Sequence, residues 1–300
     1  MKDILINGRY RVDRKIAAGG FGLVYSGTDL ESGEEVAIKL TRNGDEKALL
    51  LRNEKEICEA LSGGVGVPRV RWLGDECEYC ALVQDALGPS LEDLFNYCGR
   101  RFSLKTILLV ADQALSRVGY VHSTGFLHRD LKPENLLLGV GGRGNTLHVI
   151  DFGLAVDFTD AERYRDAEGV PRWGTREYSS IRSENHRHLS WGDDLESLGY
   201  MFVYFARGSL PWEGLRGRTA DEADRSIKEM KESLSGEALC EGVLPREFAR
   251  YIDYARSLGF GEKPDYSYLR RLFRRLFAAE GFKRDNVFDW TEKRFHEIAS

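Results

Sequence analysis

The spacing of apolar residues changes from mainly strand-like to helical after Gly88-Pro89, and this change limits the folds open to the chain. Before that point the sequence predicts β-strands and one helix, from about Glu46 to Leu61. The predicted strands are Tyr10–Ala17, Leu23–Thr28, Glu35–Leu40, Val70–Leu73 and Tyr79–Val83, with a Gly74-Asp75 turn between the last two. After that point, apolar residues at helical spacing predict buried helices such as Leu104–His122 and Leu195–Arg207. The chain should therefore adopt an α+β, bilobal fold, with a small β-rich N-lobe and a larger α-helical C-lobe.

Composition excludes several classes of protein. The formal net charge of -5 argues against a general nucleic-acid binder, which usually carries a basic excess. Cys77 and Cys80 form a CxxC pair, but no second pair completes a zinc site, so the five cysteines are expected to be free thiols in a reducing compartment. The first residues are too charged for a secretory signal, and no apolar run reaches the roughly 18 residues of a membrane span. We expect a monomer in the cytosol or nucleus that binds no nucleic acid.

One polar segment carries the chemistry, and it reads His128-Arg129-Asp130-Leu131-Lys132-Pro133-Glu134-Asn135. Asp151-Phe152-Gly153 follows, with Asp151 sixteen residues after Asn135. This combination resembles the catalytic segment of protein kinases. The carboxylate of Asp130 can accept a hydrogen bond from a substrate hydroxyl, and the oxygens of Asn135 and Asp151 suit Mg²⁺. Lys132 is typical of serine/threonine kinases and would neutralise the γ-phosphate during transfer.

A glycine-rich segment lies between the first two long predicted strands and would approach the phosphates of ATP. Ala17 stands where the kinase pattern has its first glycine. Lys39 ends a Val-Ala-Ile-Lys element on the next strand, and it would contact the α- and β-phosphates. Glu54 is the predicted ion-pair partner of Lys39, although Glu46, Glu56 and Glu59 share its helix. Together with the hinge, these elements give the predicted nucleotide contacts: Ala17, Gly19, Gly20, Phe21, Gly22, Val24, Ala37, Lys39, Glu54, Gln84, Asp85, Leu87, Leu138 and Asp151.

Two further residues match kinase positions. Thr175 follows Gly174 where kinases place a threonine that binds the catalytic Asp and Lys, so the predicted catalytic set is Asp130, Lys132, Asn135 and Thr175. Asp194 begins an apolar helix and resembles the kinase aspartate that hydrogen-bonds the backbone of the catalytic loop. We expect its role to be structural.

More specific segments resemble the casein kinase 1 family. They are Leu87–Phe95, Asp193–Tyr200, Gly208–Trp212, Lys263–Arg270 and Val287–Trp290. The resemblance implies a protein kinase catalytic domain over residues 10–290, with the N-lobe to about residue 85, a hinge at 85–88, the C-lobe over 89–290 and a short extension over 291–300. It also implies Mg-ATP as phosphoryl donor, Ser/Thr hydroxyls of proteins as acceptors, adenine binding by the hinge backbone at Asp85–Leu87, and activity without activation-loop phosphorylation.

Several residues depart from this family at the surface where it reads phosphorylated or acidic substrates. Glu177 replaces an arginine, and Thr219–Ala223 replaces a basic run. A carboxylate facing a phosphoserine is repulsive, so we expect reduced or altered recognition of primed substrates. Arg176 and Arg182 lie close by in sequence and are the candidates for compensation.

Two alternatives to an active kinase are a pseudokinase scaffold and a binding module with vestigial ATP binding. Both predict nucleotide binding without efficient transfer. Lys39, Asp130, Asn135 and Asp151 are all present, which favours the enzyme. Gln84 stands at the position before the hinge where the family has an apolar residue. Either this is tolerated variation, or the back of the ATP pocket is more polar and binds hydrophobic inhibitors less well.

Overall fold

A computed structural model gives the fold and describes residues 4–19, 22–161 and 170–299. Two compact units are present. The first comprises the described residues of Met1–Gly88 together with Leu137–Ala155, and the second those of Pro89–Leu136 and Val156–Ser300. The long strands lie in the early part of the chain and the long helices mostly in the later part, which confirms the predicted α+β class.

The strands are β1 Leu5–Ile6, β2 Tyr10–Gly19, β3 Gly22–Asp29, β4 Glu35–Arg42, β5 Val70–Glu76, β6 Tyr79–Asp85, β7 Phe126–Leu127, β8 Leu136–Leu138, β9 Leu147–Val149 and β10 Val156–Asp157. The helices are α1 Glu46–Ala60, α2 Leu91–Tyr97, α3 Leu104–Ser123, α4 Ile181–Glu184, α5 Trp191–Arg207, α6 Ala220–Ser233, α7 Gly236–Cys240, α8 Arg246–Ser257, α9 Tyr266–Ala279 and α10 Asp289–Ala299. Short 3-10 turns occupy Pro133–Asn135, Gly141–Arg143 and Phe152–Leu154.

The first unit is built on an antiparallel sheet whose strand order is β1-β2-β3-β4-β6-β5. Side chains alternate between its two faces, as the pleat requires. Val36 and Ile38 of β4 pack with Val83 of β6 on one face, whereas Leu82 packs against Leu51 of α1 on the other. The register pairs Lys39 with Leu82, so the Lys39 side chain lies on the face that carries the helix.

The predicted turn at Gly74-Asp75 is wrong. Both residues lie inside β5, and the chain reverses two residues later, where Cys77 has a positive φ of 54°. Gly74 is needed for packing instead, because a Cβ there would collide with the indole of Trp72.

Residues 137–155 belong to the first unit through long-range hydrogen bonds. The Gly88 N–H donates to the Leu138 carbonyl over 2.8 Å, and the Val149 N–H donates to the Gly66 carbonyl over 2.8 Å. The predicted lobe and hinge limits stay a prediction.

The second unit has a helical core centred on α5. Every residue from Trp191 to Ala206 is buried. The helix begins at Trp191, four residues before the predicted start, because Ser190 and Asp193 form a capping box. The Ser190 N–H donates to Asp193 over 2.6 Å. None of the helices in the described part of the chain combines the length and the apolar character needed to cross a membrane.

Candidate active site

Lys39 and Glu54 form a buried ion pair in the first unit. The Lys39 ammonium lies 2.7 and 2.8 Å from the two carboxylate oxygens of Glu54. Glu54 is only 1% exposed, whereas Glu46, Glu56 and Glu59 of the same helix are exposed. Among the four candidate glutamates, the structure therefore pairs Lys39 with the predicted one.

Asp151 and Gln84 complete this cluster. The Asp151 carboxylate lies 3.5 Å from the Lys39 ammonium, and the Gln84 amide donates to Glu54 over 3.3 Å. Burial by itself lowers the pKa of Lys39, but the carboxylates of Asp151 and Glu54 outweigh burial and raise that pKa, so the ammonium stays charged. Asp151 adopts a left-handed backbone with φ of 68°, a conformation that is uncommon for residues other than glycine.

Asn53, which the sequence analysis missed, fixes the segment after Asp151. Its side-chain amide lies 2.9 Å from the Gly153 carbonyl and 3.0 Å from the Ala155 carbonyl. This contact orients the 3-10 turn Phe152–Leu154 against α1. Asn53 sits beside Glu54 in the sequence, but nothing in a single sequence distinguishes an asparagine with such partners from an ordinary helix-surface residue.

The glycine-rich segment lies at the ends of β2 and β3. Ala17 pairs with Val24, and Gly19 pairs with Gly22. Gly22 has φ of 115°, and a Cβ there would collide with the Leu40 carbonyl, so only glycine fits. The predicted contacts Gly20 and Phe21 lie outside the described residues.

The predicted hinge follows β6. Ala37 of β4 pairs with Gln84 of β6, and the Asp85 carboxylate accepts from Arg71 over 2.7 Å. The Asp85 N–H donates to the Arg69 carbonyl over 3.0 Å, so this backbone donor is already used within the first unit. Leu87 is half-buried, and Leu138 is buried at 6% exposure.

The predicted catalytic residues come together in the second unit. Asp130 is 4% exposed and accepts from the Thr175 hydroxyl over 2.7 Å and from the Thr175 N–H over 2.8 Å, both at Oδ1. The Lys132 ammonium lies 2.9 Å from Asp130 Oδ2 and donates to the Thr175 hydroxyl over 2.9 Å. Lys132 therefore joins the carboxylate and the threonine in one closed cluster.

Asn135 belongs to the same loop. Its side-chain N–H donates to the Asp130 carbonyl over 2.9 Å, which fixes the orientation of the amide. The amide oxygen has no hydrogen-bond partner among the described residues and remains available as a ligand. An amide oxygen here and the Asp151 carboxylate in the first unit are the donor types that Mg²⁺ prefers. Each of these two residues, taken in its own unit, thus offers an oxygen donor that suits a divalent metal ion.

A model of the protein kinase domain matches residues 10–252. The chain belongs to the protein kinase domain family. Members of this family use ATP and a divalent metal ion to phosphorylate proteins. Among the residues of the kinase motifs, Lys39, Glu54 and Asp151 lie together in the first unit, and Asp130, Lys132 and Asn135 lie together in the second.

Asp194 binds the backbone of the catalytic loop of this kinase domain. Its two carboxylate oxygens accept from the backbone N–H of His128 over 2.8 Å and of Arg129 over 2.9 Å, as its position in the sequence predicted. His122 lies 2.9 Å from the same carboxylate and 2.6 Å from the Tyr266 hydroxyl. Burial acts to raise the pKa of Asp194, but the contacts with His122 and His128 lower it, so the carboxylate stays ionised.

Glu177, Arg176 and Arg182, where the sequence departs from the casein kinase 1 pattern, lie in the second unit. Arg176 forms an ion pair with Asp224 of α6, and Arg182 lies 3.4 Å from the Asp193 carboxylate. The Glu177 carbonyl accepts from the Trp212 indole over 2.8 Å. Both arginines named as candidates for compensation thus lie against acidic side chains of the second unit.

Lys231 of α6 is a further residue that the sequence analysis missed. It is completely buried, and its ammonium lies 2.7, 2.8 and 2.9 Å from the Arg176 carbonyl, the Ser179 carbonyl and the Glu184 carboxylate. Lys231 thereby ties α6 to the stretch that follows Thr175. The sequence gives no sign of this, because a lysine on an otherwise polar helix is usually solvated.

Proposed function

We propose that this kinase is serine/threonine-specific, resembles casein kinase 1, and transfers the γ-phosphate of Mg-ATP to Ser/Thr hydroxyls of protein substrates. The observation that carries the proposal is the closed cluster of Asp130, Lys132 and Thr175. A lysine two residues after the catalytic aspartate is the serine/threonine signature. Here it lies where it can neutralise charge beside the carboxylate that orients the acceptor.

The roles of the residues follow from their chemistry. Asp130 accepts a hydrogen bond from the substrate hydroxyl and takes its proton as the oxygen bonds to phosphorus and the bond to the ADP oxygen breaks. Lys132 stabilises the negative charge on the phosphoryl group in transit. Lys39, held by Glu54, would bind the α- and β-phosphates.

Magnesium would be held by Asp151 and Asn135, the two oxygen donors that the motifs supply. The ion would neutralise the phosphates of bound ATP. Asp151 has a left-handed backbone that its surroundings must enforce, and the Asn53 contacts hold the residues directly after it. Asn135 is kept in place by its bond to the Asp130 carbonyl.

The test is phosphate incorporation from Mg-ATP into peptides that differ only in carrying Ser, Thr or Tyr. We expect transfer to Ser and Thr and not to Tyr. Asp130→Asn should lower the rate by about 10²- to 10⁴-fold while nucleotide binding persists, because a neutral amide cannot take the proton. Nucleotide binding without transfer to any acceptor by the wild-type protein would favour a scaffold instead.

We also propose that recognition of phospho-primed substrates is reduced. Arg176 is paired with the Asp224 carboxylate, and Arg182 lies 3.4 Å from the acidic group of Asp193, so neither is free to take the place of the arginine that Glu177 replaces. A peptide phosphorylated three residues before its acceptor serine should be no better a substrate than its unphosphorylated twin. Glu177→Arg is the matched variant, and it should shift preference toward the primed peptide. Strong preference for the primed peptide by the wild-type protein would contradict this proposal.

We also propose that activity does not require phosphorylation of the activation loop. The protein is proposed to be a monomer located in the cytosol or nucleus. Phosphatase treatment before the assay should leave the rate unchanged. Light scattering after gel filtration should give a mass near 34.0 kDa. Activity lost on dephosphorylation would contradict the first of these expectations.

A further inference from the structure

Three consecutive residues of the second unit pack on the catalytic loop. The Arg129 guanidinium carbon lies 4.1 Å from the ring centroid of Trp173. A Cβ on Gly174 would lie 2.7 Å from the Arg129 carbonyl, so Gly174 allows the close approach. Thr175 then bonds Asp130 through both its N–H and its hydroxyl. Residues 173–175 therefore hold Arg129 and Asp130 together.

Arg129 needs to be held. Its φ is 68°, a left-handed conformation that is uncommon for a residue with a side chain and persists only where the surroundings enforce it. Asp194 fixes its backbone through the N–H bond of 2.9 Å, and Trp173 covers its side chain. Because Asp130 is the next residue, the direction of its carboxylate depends on the backbone of Arg129.

Trp173 is itself firmly anchored. Its backbone N–H donates to the Ser183 hydroxyl over 2.9 Å, and its backbone carbonyl accepts from the same hydroxyl over 2.7 Å. Its side chain packs against the apolar cluster of Leu127, Phe158, Leu189 and Trp191. The ring therefore presents a fixed face to the cation.

A tryptophan at position 173, rather than another apolar residue, indicates that the face of its ring matters. The Trp173 indole N–H is buried and has no hydrogen-bond partner among the described residues. Leucine or phenylalanine could fill the apolar site without burying an unpaired donor. What tryptophan adds is the ring face that attracts a cation most strongly.

We propose that Trp173 is a positioning residue for phosphoryl transfer: its ring holds Arg129 and so sets the direction of the Asp130 carboxylate. The inference rests on the proposed function. Other kinases order their activation segment by pairing arginines with a phosphate added to it. The Trp173 ring is a permanent part of the chain and holds its arginine with no modification.

The first test compares Trp173→Leu with Trp173→Phe. Loss of the aromatic face should lower kcat by about 3- to 30-fold with the KM for ATP unchanged, and phenylalanine should restore most of kcat. Phe260→Leu is the matched control, because Phe260 packs against the same apolar cluster and lies 5.5 Å from the Arg182 guanidinium. It should leave kcat unchanged. Equal losses for the leucine and phenylalanine variants would overturn the proposal.

A double-mutant comparison separates positioning from simple packing. In an Arg129→Met background, Trp173→Leu should cause no further fall in kcat, because its effect passes through the guanidinium. A full additional loss there would assign Trp173 a packing role only.

Hydrogen exchange supplies a readout that does not depend on activity. Trp173→Leu should speed exchange of the Arg129 amide, which donates to Asp194, and Phe260→Leu should not. If the wild-type protein transfers no phosphate, the proposed function fails, and exchange still decides whether Trp173 holds the loop. Unchanged exchange at Arg129 would overturn the inference.

Discussion

The Glu54 carboxylate is buried against the Lys39 ammonium, and removing its charge should be costly. Glu54→Gln leaves the Lys39 ammonium with Asp151 at 3.5 Å as its remaining carboxylate. Breaking one partner of a buried pair costs about 3–5 kcal/mol, so the free energy of unfolding in a denaturant titration should fall by that amount. Glu56→Gln, on the exposed side of the same helix, should change it by less than about 0.5 kcal/mol. Equal effects would mean that the pair contributes nothing to stability.

Gln84 gives a prediction about inhibitors. Its amide lies 3.3 Å from Glu54 and 3.9 Å from the Cys58 sulfur, so an apolar group placed against it would desolvate a bonded polar group. A hydrophobic ATP-site inhibitor should therefore bind Gln84→Met about tenfold more tightly than the wild-type protein. Inhibition constants for one such compound on both proteins test this, with the KM for ATP as control. Equal inhibition of both would contradict it.

Single residues also show where the sequence was informative. Glu54 could be named as the partner of Lys39 because it lies on the helix that follows the Lys39 strand, and burial then separates it from the other three glutamates. Asn53 and Trp173 carry no such pattern. Their roles arise from partners about 100 and 44 positions away in the chain, which only the folded backbone brings together.

At the scale of elements, α6 is tied to the stretch after Thr175 by one buried ammonium. Lys231→Met would remove the ammonium from the Glu184 carboxylate and from two carbonyls, and would leave Glu184 with the Ser179 hydroxyl and, at 3.9 Å, Arg172. We expect a loss of about 3–5 kcal/mol in the free energy of unfolding, measured by denaturant titration. Arg225→Met, exposed on the same helix, is the control and should change it by less than about 0.5 kcal/mol. Addition of Glu184→Gln to Lys231→Met should recover part of the loss, and no recovery would contradict a charge-based cause.

Element bounds were predictable where caps and periodicity agree. The predicted helix from about Glu46 to Leu61 is α1 at Glu46–Ala60, and Leu104–His122 is α3 at Leu104–Ser123. The start of α5 was misplaced because its first turn contains Gly192 and two aspartates, although Ser190 and Asp193 already had capping-box spacing. The prediction of a turn at Gly74 was wrong because a glycine required by close packing cannot be told from a turn glycine in a single sequence.

At the scale of the molecule, residues 137–155 join a unit formed mainly by the first 88 residues. The contacts responsible connect Val149 with Gly66, Leu138 with Gly88, and Gly153 with Asn53. Such pairings across long stretches of chain leave no periodic trace. Sequence reasoning could therefore identify Asp151 as a functional residue without finding the unit to which it belongs.

The stability of the whole molecule should depend on pH through Asp193. Burial raises the pKa of Asp193 to about 7, from an ordinary value of 3.8, despite its bonds to Ser180 and Ser190 and the nearby Arg182. Between these two values the folded protein holds a proton that the unfolded chain releases, so stability falls as pH rises from about 4 to about 7 and is level above that. The proton contributes up to roughly 4 kcal/mol, since each tenfold change in its affinity corresponds to about 1.4 kcal/mol.

Asp193→Asn removes this proton and leaves a side-chain oxygen that can still accept from the Ser190 N–H. Relative to the wild-type protein, the variant should therefore gain stability as pH rises from about 4 to about 7, with no further gain above that range. Denaturant titrations of both proteins at several pH values measure the difference, and groups common to both cancel. Asp221→Asn, an exposed acid in the first turn of α6, should follow the wild-type slope. Parallel stability curves for Asp193→Asn and wild type would show that Asp193 titrates at an ordinary pH and that Arg182 keeps it ionised.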